Sequence, residues 1–283
     1  MSYLIEQKEI GNHRISIYYD ECASCPITDW DLGASYLFEY NDRYHHRLHD
    51  DCDWKDWFYE NNHSLEEALQ RMAAKVVSQD DLINYLKSGK VDGVRFVYDR
   101  RVKEWKLQHL CNWEGSKHKG EWFTDVKIAT SGLKSGDYCQ ELTEQLEKED
   151  LITLINECAK DFYISEWSSI GYSQGDRVDG VAYMSKEQFD KRCGFNPSAF
   201  KDWKEQAQSV IDGEVKCIGM WMWGDVKGYV LEEKVPYTKT YADGREVQTF
   251  EWQEVHSCWG YFLETEELID EVISEHGLKE KAA

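Results

Sequence analysis

The stretches GYVLEEKV (residues 228–235), DG (243–244) and VQTFEWQEVHSCWGYF (247–262) decide the reading of the fold. The first and last are rich in β-branched and aromatic residues, and Asp243-Gly244 supplies the positive φ of a tight connection, so they read as two antiparallel strands. Upstream, Val215 to Trp223 is a third apolar run of the same composition and reads as one more strand. Asn196-Pro197 reads as a cap and first turn of a helix reaching Asp212, and Ser185-Lys186-Glu187-Gln188 caps a short helix ending at Gly194. Thr265-Glu266-Glu267 opens a C-terminal helix that Gly277 stops.

Strands are also expected over 14–19, 34–40, 94–98, 105–113, 122–129, 162–170 and 178–184. The capping-box pattern Ser64-Leu65-Glu66-Glu67 predicts a helix to about Val77, and Ser78 restarts a shorter one that ends at Gly89. Leu142, Leu146, Leu151, Leu154 and Ile155 form a rough helical stripe, which predicts one long helix from Asp137 to about Ala159. Strands and helices come in mixed clusters rather than in alternation. The expected class is therefore α+β, with mainly antiparallel mixed sheets and helices packed on them. The expected organisation is an N-terminal α+β region, 1–135, and a C-terminal α+β domain, 136–283, or one continuous domain.

The chain of 283 residues is long enough to bury about three quarters of its unfolded surface. Its 33 Lys+Arg against 54 Asp+Glu give a formal net charge of −21, which disfavours direct binding to nucleic acid or an anionic membrane and favours partners with basic surfaces. It carries 12 Trp, 17 Tyr and 10 Phe, more large aromatics than a core of this size needs, and such side chains anchor protein interfaces. No stretch approaches the 18 apolar residues that span a membrane, and Met1 to Ile10 lacks the basic and apolar segments of a signal peptide. With nine cysteines, an odd number, the expectation is a cytosolic protein with free thiols.

Two motifs raise chemistry. Gly171-Tyr172-Ser173-Gln174-Gly175 matches the GxSxG nucleophile elbow, which needs a strand before the serine and a helix after it. Here Asp176 to Val181 reads as a turn and a strand, so a β-turn is expected. Cys22-Ala23-Ser24-Cys25 is a CxxC with His45, His46, His49 and Cys52 downstream; Cys22, Cys25, His49 and Cys52 are the candidate ligands of a tetrahedral zinc. A zinc ribbon repeats the paired spacing and this cluster does not, so no cofactor is expected. Phosphate-binding GxxxxGK[ST], HExxH and GxGxxG are all missing, which argues against an enzyme. A zinc- or serine-dependent hydrolase is the alternative.

Three separated blocks resemble a family of mostly uncharacterised proteins of phages and other mobile elements. The first runs from Tyr18-Tyr19-Asp20-Glu21 through Pro26, Trp30-Asp31 and Leu32-Gly33 to Arg43-Tyr44. The second spans Tyr172-Ser173-Gln174-Gly175-Asp176 and Gly180 to Ser185. The third joins Gly224-Asp225-Val226-Lys227-Gly228-Tyr229-Val230-Leu231 to Ser257-Cys258-Trp259-Gly260-Tyr261. The likeness reaches from near residue 18 to about 262, with residues 45 to 160 matching poorly. The family lacks the two cysteines found here at Cys22 and Cys25, which weakens the zinc reading, and it supplies no catalytic residues.

The resemblance implies a protein that disables a host defence function by stoichiometric binding, of anti-restriction, anti-CRISPR or anti-Gabija type. Its expected partner is a host defence nuclease or DNA-binding complex with a basic surface, engaged in part by DNA mimicry, in the host cytosol, with homo-oligomerisation left open. The expected contact is the aperiodic segment that interleaves Asp50, Asp51, Asp53, Asp56 and Glu60 with Trp54, Trp57, Phe58 and Tyr59. Its carboxylates would pair with arginines that otherwise hold phosphate, and its aromatics would supply desolvated anchors.

Overall fold

A computed structural model of the chain describes residues 3–41, 65–129, 139–170 and 177–279. The architecture is α+β, with three antiparallel sheets and eight helices among the described residues. It divides into two compact units that interleave in sequence: residues 1–31, 47–50 and 216–283 form one, and residues 32–46 and 51–215 form the other. Both chain ends are drawn into the first unit by the pairing of β2 (His13–Tyr19) with β9 (Lys227–Thr240).

The first unit is a four-stranded sheet in the order β1-β2-β9-β10, where β1 is Leu4–Ile10 and β10 is Glu246–Tyr261. Alternate residues Ile15 and Ile17 of β2 stand opposite Leu231 and Tyr229 of β9, and this face packs on Leu268, Ile269 and Val272 of α8 (Thr265–Glu275). Those three share one stripe of the helix, as its 3.6-residue period requires. Tyr229 is fully buried, and its hydroxyl bonds His256 Nδ1 at 2.9 Å and His276 Nε2 at 3.0 Å. The expected strand over 14–19 is β2; β1 has a polar, mostly exposed sequence and carries no alternation that would announce it.

The second unit holds the sheets β3-β8-β7 and β4-β5-β6. Their strands are β3 (Ser35–Asn41), β4 (Val94–Asp99), β5 (Glu104–Leu110), β6 (Trp122–Ala129), β7 (Phe162–Ile170) and β8 (Arg177–Ser185). Helices α2 (Leu65–Val76), α3 (Gln79–Lys87), α4 (Cys139–Thr143) and α5 (Lys148–Cys158) bury Leu69, Leu82, Leu86, Leu142, Leu151 and Leu154 in one core. Ser78 caps α3 through Asp81 N, and Ser185 makes a complete capping box at α6 (Lys186–Arg192) with Gln188.

Two sequence readings are corrected. The expected helix 137–159 is two helices, α4 and α5, separated where Glu147 takes an extended conformation as the cap of α5. From Leu146 to Leu151 is five residues, too far round a helix to keep one face, and the break returns Leu142, Leu146, Leu151 and Leu154 to one core. The expected strand 215–223 is instead the end of α7 (Trp203–Met222), a helix that starts after Asn196-Pro197 rather than at it. Asp202 Oδ1 accepts from Glu205 N at 2.9 Å and so begins the helix. Ala207, Ile211, Ile218 and Met222 are among its buried positions, spaced for a helix although the segment is β-branched and aromatic in composition.

Close backbone approaches explain Gly33 and Gly228. A Cβ on Gly33 would lie 2.8 Å from Cys193 Sγ, and the Gly33 and Ala34 amides donate to the Glu214 carboxylate at 2.6 and 3.1 Å. A Cβ on Gly228 would lie 2.2 Å from the Trp259 ring, which lies over the bare backbone. Gly228→Ala should therefore destabilise the chain by about 1–3 kcal/mol, because the indole has to move. Gly213→Ala in α7, where the new methyl meets nothing within 4 Å, should stabilise by about 0.5–1 kcal/mol. Thermal or urea unfolding of the two variants checks the opposite signs.

Candidate protein-binding surface

β2 ends its pairing with β9 at His13↔Glu233, and the Lys234 amide donates to the Asn12 carbonyl at 2.8 Å just beyond. β9 and β10 nevertheless continue to pair with each other from Lys234↔Trp252 to Thr240↔Glu246. Sequence had placed the end of this strand at Val235; the structure carries it to Thr240. The result is a two-stranded ribbon beyond the edge of the four-stranded sheet. Its connection is tight: the Gly244 amide donates to the Tyr241 carbonyl, the Tyr241 amide donates to the Arg245 carbonyl, and Gly244 has φ +82°. Asp243-Gly244 is the turn that the sequence signalled.

A two-stranded ribbon has no core of its own, so cross-strand side-chain pairs must hold it. On one face Arg14 makes two hydrogen bonds to Glu232, at 2.6 and 2.7 Å, and its guanidinium lies 4.6 Å from the centre of the Trp252 ring. The Glu232 carboxylate raises the Arg14 pKa further above its ordinary value. Lys234 Nζ sits 4.8 Å from both the Trp252 and Phe250 rings, which meet edge to face at 5.9 Å. Farther out on this face Gln248 donates to the Thr238 hydroxyl, while near the turn Lys239, from the opposite face, and Arg245 flank the Tyr241 ring at 5.2 and 5.6 Å. Alternating aromatic rings and cations form a ladder along the ribbon.

The opposite face continues the core face of the sheet past the residues that α8 covers. It carries Val235, Tyr237 and Val247, with Lys239, Thr249 and Glu251 between them. Tyr237 is 39 % exposed, Val247 46 % and Phe250 50 %, so both faces of the ribbon present apolar surface. Between Lys234 and Trp252, Lys234, Lys239 and Arg245 balance Asp243, Glu246 and Glu251. This element is neutral in a chain of net charge −21.

The contact segment expected from sequence, Asp50, Asp51, Asp53, Trp54, Asp56, Trp57, Phe58, Tyr59 and Glu60, lies outside the described residues, as do His49, Cys52 and Ser173. Cys22 and Cys25 lie at the entrance of α1 (Pro26–Asp29), Cys22 exposed and Cys25 half-buried. Their backbone amides donate to Asp20 and Asp29, and the Ala23 carbonyl accepts from Trp221 Nε1 at 3.1 Å, so this turn is fixed by protein groups. Among the described residues no three His, Cys, Asp or Glu side chains are grouped to hold a metal ion. β7 and β8, which flank residues 171–176, pair antiparallel from Ile170↔Arg177, so the described residues after 176 open with a strand and not with the helix of a nucleophile elbow. No helix of the described residues is long and apolar enough to cross a membrane.

What sequence reasoning missed is the ribbon as a surface. Its signal was present in Tyr237, Tyr241, Phe250 and Trp252 at the tip of a pair of strands with no third partner, but the length of β2 decides which part of that pair stands uncovered. The fold and this surface together define an α+β protein whose described exposed surface is most developed as an aromatic β-ribbon. No family model matches the chain, and neither a curated protein nor a solved structure matches it significantly. Because Tyr237 and Phe250 are half-exposed and outside every core cluster, replacing both with Ser should leave the unfolding free energy within about 0.5 kcal/mol per site. Trp252→Ala, which strips the ring from between Arg14 and Lys234, should lower the thermal midpoint measurably.

Proposed function

We propose that this chain acts by stoichiometric binding to another protein and that the β9–β10 ribbon is its anchoring contact. The observation that carries the reading is the pair of strands continuing past β2 with Tyr237, Tyr241, Val247 and Phe250 exposed. Exposed rigid aromatics on a short ribbon give contact area at small entropic cost, and tyrosine and tryptophan are the side chains on which interface energy concentrates. The phage and mobile-element resemblance gives the setting: a host cytosol, with a defence nuclease or DNA-binding complex as the target. Such a target has a basic surface, which a net charge of −21 attracts.

In this reading charge and ribbon have separate tasks. The field of the acidic chain raises the encounter rate, while the neutral ribbon supplies the desolvated contact that slows dissociation. Capture of a defence complex from host lysate by the tagged chain, followed by co-elution of purified components, tests it directly. Tyr237→Ser with Phe250→Ser should weaken capture at least tenfold, about 1.4 kcal/mol, with the fold intact. The association rate should fall as salt rises and the screening length shrinks from about 10 Å at 0.1 M to about 3 Å at 1 M. Failure to bind any defence component, together with no rescue of phage plating, overturns the proposal.

A further inference from the structure

The two outer edges of the ribbon are built differently. Beyond β2, the outer edge of β9 carries Pro236, which has no amide hydrogen to offer, and the charged Lys234 and Lys239. Prolines and lysines are the devices by which edge strands avoid pairing with other strands. β10 is the edge strand of its sheet, and between Glu246 and Gln253 its sequence, EVQTFEWQ, has neither a proline nor a lysine. Nearer the sheet, β10 is interrupted by bulges between Glu254 and His256 and between Cys258 and Tyr261, whereas from Glu246 to Glu254 the register is unbroken. Among the described residues nothing pairs with this outer edge. One edge of the ribbon is guarded by proline and lysine, and the other is exposed, unbroken in register and places the strand formers Val247, Thr249, Phe250 and Trp252 among glutamates and glutamines.

We infer that the Arg245–Glu251 edge of β10 pairs antiparallel with the same edge of a second copy of the chain, joining two four-stranded sheets through their ribbons. A two-fold antiparallel pairing sets residues of one face opposite residues of the same face, which limits the registers to those centred on one residue. Centred on Gln248, Arg245 stands opposite Glu251 at both ends, Val247 stands opposite Thr249, and Glu246 stands opposite Phe250. The β-branched pair Val247 and Thr249 is thus placed directly across the new interface, and Arg245, which immediately precedes β10 and bonds Asp243 of its own chain at 2.7 Å, is brought opposite Glu251, each pair contributing about 0.2–1 kcal/mol. Centred on Phe250, Glu246 would face Glu254 twice. Centred on Thr249, Arg245 would face Gln253, and Val247 would face Glu251. Only the Gln248 register makes the strand complementary to itself in charge. The aromatic rings on the ribbon faces stay exposed in this arrangement, so the two copies present a broader surface than one.

This inference is independent of the identity of any target and is read from the purified full-length chain. Sedimentation equilibrium from nanomolar to tens of micromolar chain should give a two-chain mass at the upper end. Arg245→Glu alone and Glu251→Arg alone each place like charges opposite one another and should raise the dissociation constant at least tenfold. The double variant R245E/E251R restores opposite charges and should recover most of that loss. Gln248→Lys, which sets two lysines face to face at the centre, should also give single chains. All these positions are exposed, and circular dichroism of each variant confirms that the sheet is retained. A single-chain mass for the wild type throughout the range overturns the proposal. A two-chain mass indifferent to the single reversals, or a double variant no better than the singles, overturns this pairing. The Tyr237→Ser change, which lies on β9 and off the pairing edge, should leave the mass unaltered, so a failure here is distinct from a failure of target binding.

Discussion

The pairing of β2 with β9 is the constraint on which the first unit depends. It joins His13–Tyr19 to Lys227–Glu233 across more than two hundred residues of intervening chain. Loop closure grows costly only with the logarithm of length, so the penalty for so distant a pairing is modest beside the apolar surface it buries. That surface is the row Ile15, Ile17, Tyr229 and Leu231 lying against Leu268, Ile269 and Val272. The same pairing positions the ribbon. β2 begins at His13, after the turn at Gly11 and Asn12, and β9 has no third strand beside it beyond Lys234. Where β2 begins is thus where the sheet ends and the exposed surface starts.

Gly33, the core residues of β8 and Gly228 have packing roles in this fold. Gly33 sits where its amide reaches the Glu214 carboxylate and where a side chain would strike Cys193. Val181, Ala182 and Met184 of the second block lie on β8, the central strand of its sheet, and are fully buried. Gly228 leaves room for the Trp259 ring. At these positions close approach or burial accounts for the residue, while a binding surface such as the ribbon is set by what the packing leaves exposed.

Much of the fold was legible because local signals agreed with the tertiary structure. Ser78 and Ser185 cap the helices they announced, Asp243-Gly244 makes the predicted turn, and most strands fall within a residue or two of their sequence bounds. The failures share a cause. Val215 to Trp223 has strand composition but helical spacing, and burial of Ile218, Trp221 and Met222 decided in favour of the helix. Leu142 to Ile155 resembles one stripe until the five-residue step after Leu146 is taken literally. β1 carries Glu6, Gln7, Lys8 and Glu9, a run with no apolar period, and is a strand because β2 offers it a ladder of backbone hydrogen bonds. In each case a packing or pairing partner supplied what the local pattern lacked.

The same reasoning separates the two properties that made the chain look like a binding protein. Acidity is spread over the molecule and is legible from composition alone, but long-range charge is screened beyond about 10 Å at 0.1 M salt and fixes no geometry. The ribbon is local, neutral and geometrically defined by its register with β2 and by the Arg14, Trp252, Lys234 and Phe250 ladder. A contact built on acidic side chains alone would weaken steeply with salt, whereas aromatic anchors stacked with cations retain their apolar component. Specific attachment under the proposed function therefore depends on the ribbon, and the negative field governs how often a basic partner arrives there in an orientation that the ribbon can use.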